Sequence, residues 1–146
     1  MEFKTEAQKA AYERILPMMR ELFGELVQVR EDQPGFGITY GSVWVQAWVS
    51  AWGDDDASAT TRSWIVTGAE LTQELCHDLL RRNDDVRFGA FGVDSDGDVF
   101  FEHTIVASTA TRDQLKASVM SVLRTADQAD DEIVGRFGGI RMTDKN

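Results

Sequence analysis

Cysteine, proline and histidine are scarce in this chain, with one, two and two copies among 146 residues. A single thiol, Cys76, cannot close an internal disulfide, and its use fits a reducing compartment. Two histidines and one cysteine do not supply a closed zinc site, so no metal is expected. No apolar run approaches the roughly 20 residues that cross a bilayer, and the opening stretch MEFKTEAQKAAYERIL lacks the apolar core of a secretory signal. These absences point to a cytoplasmic protein. Positive charge is also short, with 15 Lys and Arg against 25 Asp and Glu, a net charge of -10. A surface of that sign repels phosphate backbones and anionic lipid, which argues against nucleic-acid and membrane partners. The pair Arg81–Arg82 reads as helix-end charge that complements the helix dipole.

What remains is ordinary for a folded domain. Hydrophobic residues make up 42% and charged residues 27%, enough apolar content to bury a core and too much for a disordered chain. The length suits one domain, taken as residues 1–140 with a polar tail at 141–146.

Three stretches carry helical signals. Thr5-Glu6-Ala7-Gln8 has the form of a capping box. Ala11, Ile15, Met18, Leu22 and Leu26 follow it at steps of three and four, with a kink or restart expected at Pro17. Thr72 is an N-cap candidate preceded by Leu71, which can staple onto Cys76. Leu75, Cys76, Leu79 and Leu80 form the stripe behind it, and Asn83 suits a left-handed C-terminal position. Thr111-Arg112-Asp113-Gln114 is a second capping box, opening a helix on Leu115, Val119, Val122, Ala126, Ile133 and Phe137 that Gly138-Gly139 closes.

Between these helices the period is two. Leu26–Arg30 is a short strand candidate, and alternation begins again at Phe36. Val43–Trp52 places Val43, Val45, Ala47, Val49 and Ala51 on one face and Trp44, Gln46, Trp48, Ser50 and Trp52 on the other. The tip Gly53–Asp56 turns the chain toward Ser63–Thr67, its expected hairpin partner. Arg87–Asp94 and Val99–Ala107 form another hairpin around Asp96-Gly97. The order α-β-β-β-α-β-β-α predicts an α+β fold, an antiparallel sheet with its helices on one face.

Catalytic signals are missing. Asp94-Ser95-Asp96-Gly97-Asp98 fails the calcium-loop pattern, with glycine fourth and Ile105 where the twelfth-position acid belongs, and reads as a hairpin turn. Asp127, Asp130, Asp131 and Glu132 read as a solvated acidic helix face. Cys76, on its apolar stripe, reads as buried, and His103, in phase with Val99, Phe101 and Ile105, as a core histidine rather than a base. Glycines at Gly35, Gly37, Gly89 and Gly92 sit in strand patterns, with no phosphate-binding loop among them. The chain is therefore read as a non-enzymatic binding module.

The candidate site is the tryptophan ladder. Trp44, Trp48 and Trp52 share one strand face, and Trp64 joins from the partner strand. If the helices cover the Val/Ala face, this row points away from them, as a peptide-binding or subunit surface does. Cover by another part of the chain is the alternative at this stage.

The segment LLRRNDDVRFGAFGVDSDGDVFFEHTIV (Leu79–Val106), with Ala126-Asp127, Asp130–Val134 and Phe137-Gly138-Gly139, resembles the YbjN family. That family is related in fold to the class I chaperones of type III secretion. The likeness runs from about Val43 to Gly139. It implies a small α+β fold, usually a homodimer, that binds a client protein or peptide with no cofactor and no catalysis. The tryptophan-rich strand and the acidic tip at Asp54–Asp56 depart from that pattern. A small apolar ligand held between sheet and helices is the second reading.

Overall fold

The computed structural model describes residues 1–145, and each helix begins where a threonine can cap it. Helix α1 (Glu6–Phe23) starts after Thr5, whose hydroxyl accepts the Gln8 N–H at 3.0 Å. Gln8 does not complete a capping box. Its carbonyl oxygen accepts from the Lys4 N–H, and its amide nitrogen donates to the Val49 carbonyl at 2.8 Å, tying α1 to the sheet. Pro17 lies on the exposed side of a continuous helix, so the expected restart does not occur. Helix α2 (Gln73–Asp85) is capped by Thr72, and α3 (Arg112–Phe137) by a complete Thr111–Gln114 capping box.

The strands are β1 (Val27–Val29), β2 (Gly35–Tyr40), β3 (Val43–Trp52), β4 (Asp56–Thr67), β5 (Ala90–Val93), β6 (Val99–Val106) and β7 (Ile140–Arg141). They form one antiparallel sheet in the order β1-β2-β3-β4-β6-β5, with β7 added beside the end of β4. The α+β plan holds, with three differences. Four strands rather than three lie between α1 and α2, because Val27–Val29 and Gly35–Tyr40 pair as separate strands. Strand β4 begins at Asp56 rather than Ser63, because Ala57, Ala59 and Thr61 continue the inward alternation. Strand β7 follows α3 because Gly138 and Gly139, both at φ +79, turn the chain back onto β4. Arg141 then bonds Asp144 and Asp131.

The core lies between the helices and one sheet face. Val43, Val45, Ala47 and Val49 of β3 are buried there together with Ile15 and Met19 of α1 and Val119, Val122 and Ile133 of α3. Helix α2 contributes Leu75 and Leu79. Cys76 and Leu80, expected on that stripe, are exposed, because one ridge at a spacing of four is all that a helix docked along a sheet margin buries. Asn83 is not a left-handed terminus, since α2 continues to Asp85. Its side-chain amide clasps Phe91 of β5, accepting the N–H at 2.6 Å and donating to the carbonyl at 3.2 Å.

The acidic stretch of α3 is not wholly solvated. Asp130 is buried at 6% exposure, its Oδ1 accepting the Asp131 N–H. Burial pushes its carboxyl above the usual range, with the charges of Asp131 and Asp127 adding to the shift and the Asp131 N–H and Arg141 opposing it. A carboxyl whose pKa is raised on folding favours the native state below its unfolded pKa. That contribution is lost as pH rises through the folded value. Replacing Asp130 with Asn keeps the acceptor and removes the buried charge. Thermal melts at neutral pH are expected to rise by roughly 3 °C, and the gain to vanish in acid. An unchanged or lowered melting temperature at neutral pH would contradict this.

Candidate functional site

Because all three helices pack on the face of Val43, Val45, Ala47 and Val49, the alternate residues of every strand form a helix-free surface. Register fixes who meets whom on it. Gln46 lies opposite Arg62 and Trp48 opposite Thr60 on β4, while Arg62 faces Glu102 and Trp64 faces Phe100 on β6. Period two thus brings aromatic and charged groups from β3, β4 and β6 into one layer.

These side chains lie down on the sheet. Trp44 stacks with Trp64 at 6.1 Å and 21° between planes. Its indole covers Gly37 of β2, where an added Cβ would sit 3.4 Å from Nε1. Phe100 covers Gly92 of β5 in the same way, closely enough that a Cβ there would lie 2.5 Å from the ring. Gly92 is a seat for the Phe100 ring, since a side chain there would prop the aromatic up into solvent, whereas a Cβ at Gly37 would only touch the Trp44 indole.

Arg62 occupies the middle of the layer. Its guanidinium carbon is 3.8 Å from the Phe100 ring centroid, 5.5 Å from Trp64 and 5.7 Å from Trp48. Two of its nitrogens donate to Glu102 Oε2, at 2.9 and 2.6 Å. A planar cation fits between ring faces while its edge pairs with a carboxylate, which an ammonium does less well. The Trp64 indole N–H donates to Asp94 Oδ2 at 2.9 Å. Asp94 also accepts from the Asp96 and Asp98 N–H groups, which closes the β5–β6 hairpin. Burial works against ionisation of Asp94, but the donors from Asp98, Trp64 and Asp96 outweigh it and hold the carboxyl below its usual range.

Of the four tryptophans singled out in the sequence, the structure gathers three. Trp44 and Trp64 touch, and Trp48 joins them through Arg62, all half-buried against one another. Trp52 stands apart at the end of β3, 62% exposed, in a cleft shared with Thr104 and Val106. Among the described residues, no helix covers the ladder. Sequence reasoning missed Arg62, Phe100 and Glu102. The signal was present, since Arg62 alternates in phase with Trp64, but it needed β4 to start earlier than read.

The other candidates have ordinary partners. His103 Nδ1 lies 2.8 Å from Ser118 Oγ and its ring meets Phe88 edge-on. Burial lowers its pKa, so the imidazole is neutral at neutral pH. Arg82 pairs with Asp78 within α2 and with Glu132 of α3. Among the described residues, no group of three or more His, Cys, Asp and Glu is placed to hold a metal ion, and no helix is long and apolar enough to cross a membrane.

The family described as T3SS (YopN, CesT) and YbjN peptide-binding chaperone 1 matches residues 10–145. No curated protein matches the chain. Among solved structures, the ExsC–ExsE complex contains a chain with the same fold, at TM-score 0.64 and 17% identity over 87% of this chain and 95% of that one. The HopA1–SchA chaperone–effector complex matches at TM-score 0.61 and 10% identity, over 84% and 96% of the two chains. An uncharacterized protein from Methanothermobacter thermautotrophicus matches at TM-score 0.59 and 18% identity, over 88% and 99%.

Proposed function

The chain belongs to this family of peptide-binding chaperones, and from that premise we propose that its helix-free aromatic face is where a client protein or peptide is captured. The observation that carries the reading is the layer of Trp44, Trp48, Trp64 and Phe100 around Arg62, spread over three strands and covered by no helix. Trp52 extends it at the strand end. Flat, preorganised aromatics lose little side-chain entropy on contact, which is why such residues dominate binding energy at protein interfaces. The client seats an amphipathic or extended segment there without covalent chemistry, so the protein acts as a holdase or adaptor rather than an enzyme.

The homodimer and the cytoplasmic setting implied by the family likeness belong to the same proposal. Sedimentation at micromolar concentration tests the first, with a monomer mass as the outcome against it. The space between sheet and helices is taken up by Val45, Val49, Val119, Val122 and Ile133. A small apolar ligand would therefore have to use the surface clefts instead.

Trp48→Ala is the direct test of the face. Its ring is half-buried and lies against the Arg62 cation. Binding of the client recovered with the wild-type protein is expected to fall about ten-fold or more, with circular dichroism melting shifted by only a few degrees. Unchanged binding would remove the tryptophan face from the function. A collapse in melting temperature would make Trp48 a structural residue and do the same.

A further inference from the structure

The cleft between β6 and α3 is built from residues that the aromatic face does not use. Along β6, Phe101, His103 and Ile105 alternate toward the helices. Helix α3 follows β6 directly, so the loop of residues 107–111 joins the two and closes the cleft at one end. Arg14 of α1 holds that loop. It donates to the Ala107 carbonyl at 3.4 Å and the Ala110 carbonyl at 2.7 Å, and also to the carbonyl of Ser108. Phe88 stands at the other end, its ring edge-on to His103 with centroids 5.7 Å apart. Its own neighbours fix it there. Gly89, at φ +102, has no room for a Cβ beside the Glu102 carbonyl, and Ser121 of α3 donates to the Phe88 carbonyl at 3.4 Å. The space enclosed is about 600 Å³, the size of a small-molecule site.

Phe88, Ile105, Val106 and Ala117 give the cleft apolar walls, and Phe88 and Val106 are left 54% and 40% exposed. Two polar groups break these walls, one near each end. Ser118 is buried, and among the described residues its hydroxyl has His103 Nδ1 as its one partner, at 2.8 Å. A buried hydroxyl hydrogen needs an acceptor. The network therefore assigns the Ser118 O–H as donor to Nδ1, and the neutral ring carries its proton on Nε2. Among the described residues no buried side-chain nitrogen or oxygen lacks a partner, so Nε2, which has none, is reached by solvent. On the helix side of β6 the way in is the cleft. At the closed end, Asp113 lines the cleft from the first turn of α3. Its carboxylate has no ion-pair partner among the described residues, and Arg112 beside it pairs with Glu21. An unpaired carboxylate in a chain of net charge -10 draws a cation and repels an anion.

We propose that this cleft binds a small organic amine, its apolar body against Phe88, Ile105 and Ala117, its ammonium beside Asp113 and a hydrogen-bond acceptor facing His103 Nε2–H. The occupant is a free amine rather than the lysine of a client, because the 107–111 loop leaves a passing chain no exit at the Asp113 end. The cleft lies on the helix side of the sheet and the aromatic face on the other side. The site therefore goes beyond client capture and does not depend on it.

The probe is tyramine, which joins an aromatic ring, a phenol oxygen and an ammonium in one small molecule. Its counterpart, para-hydroxyphenylacetate, keeps the ring and the phenol but replaces the ammonium with a carboxylate. Each is titrated into the isotope-labelled full chain and followed by NMR. Tyramine is expected to shift the Phe88, Thr109 and Ala117 amides saturably, with a Kd of about 1 mM or below, and the carboxylate to bind about ten-fold more weakly or not at all. Asp113→Asn is expected to weaken tyramine about ten-fold and to erase its advantage over the carboxylate. Ala117→Phe fills the cleft from an exposed helix position and is expected to abolish binding, whereas Trp48→Ala leaves it unchanged. Absence of saturable shifts overturns the proposal, as does a carboxylate that binds as tightly as the amine. Undiminished binding to Asp113→Asn, a surface substitution that leaves the core intact, does the same. Shifts confined to the indole N–H signals of Trp44, Trp48 and Trp64 would move the amine to the aromatic face and overturn the proposal as well.

Discussion

An alanine at Gly89 lowers the stability of the protein by about 3 kcal/mol and drops its melting temperature by roughly 10 °C. Two costs combine. The residue sits at φ +102, where an L side chain is strained, and an added Cβ would lie 2.5 Å from the Glu102 carbonyl oxygen and 2.7 Å from Phe101 Cζ. Neither neighbour can yield. The carbonyl belongs to the ladder, and Phe101 is fully buried against Phe91. The same substitution at Gly135 is the internal comparison, because nothing lies within 4 Å of the position an added Cβ would take in α3. There alanine is expected to stabilise by about 0.5–1 kcal/mol, the helix-propensity difference. Urea titrations of the two variants decide the matter. A Gly89→Ala protein as stable as wild type would mean that β5 leaves β6 in another way.

Removing the Arg62 guanidinium costs about 2–3 kcal/mol and weakens client binding about ten-fold or more. The residue joins Trp48 to the Trp44–Trp64 pair, and it also partners Glu102. Without it, Glu102 loses both hydrogen bonds from Arg62 and the rings lose the plate between them. Arg62→Lys is expected to recover the charge but little of the binding, since an ammonium cannot lie flat between three rings and still reach the carboxylate with two donors. Melting temperature and client affinity, measured on Arg62→Ala and Arg62→Lys, separate packing from charge. Full rescue by lysine would show that charge alone matters at this position and would sink the account of a preorganised aromatic layer.

Local signals in the sequence held at most helix caps and turns, although the box read at Thr5–Gln8 is left incomplete because Gln8 bonds Lys4 and Val49 instead. Thr72 and Thr111 cap the helices they precede, because an N-cap bond spans three residues and needs no tertiary help. The Asp96-Gly97 turn closes its hairpin, with Gly97 at φ +84. The two faces of β3 separate as the alternation of Val43–Trp52 requires. Errors arose where the outcome depends on what lies across space. Cys76 and Leu80 share the apolar character of Leu75 and Leu79, yet α2 docks at the sheet margin and leaves them wet. Asn83 has the side chain of a left-handed terminus, but the Phe91 backbone gives its amide a better pair of bonds. Asp130 belongs to an acidic run whose other members are mostly exposed, and only the packing of α3 distinguishes it.

The sequence by itself determined the α+β class, the antiparallel character of the sheet, the apolar face that becomes the core and the presence of a tryptophan ladder on the opposite face. These follow from periods of two and of three to four, which are properties of a single segment. Only the tertiary structure decided that Arg62 lies between Trp48, Trp64 and Phe100, that Gly92 seats the Phe100 ring, and that β5 abandons β6 at Gly89. Each of these depends on register between strands far apart in the chain. Register is set by the summed fit of many side chains across the sheet, so no single segment carries it.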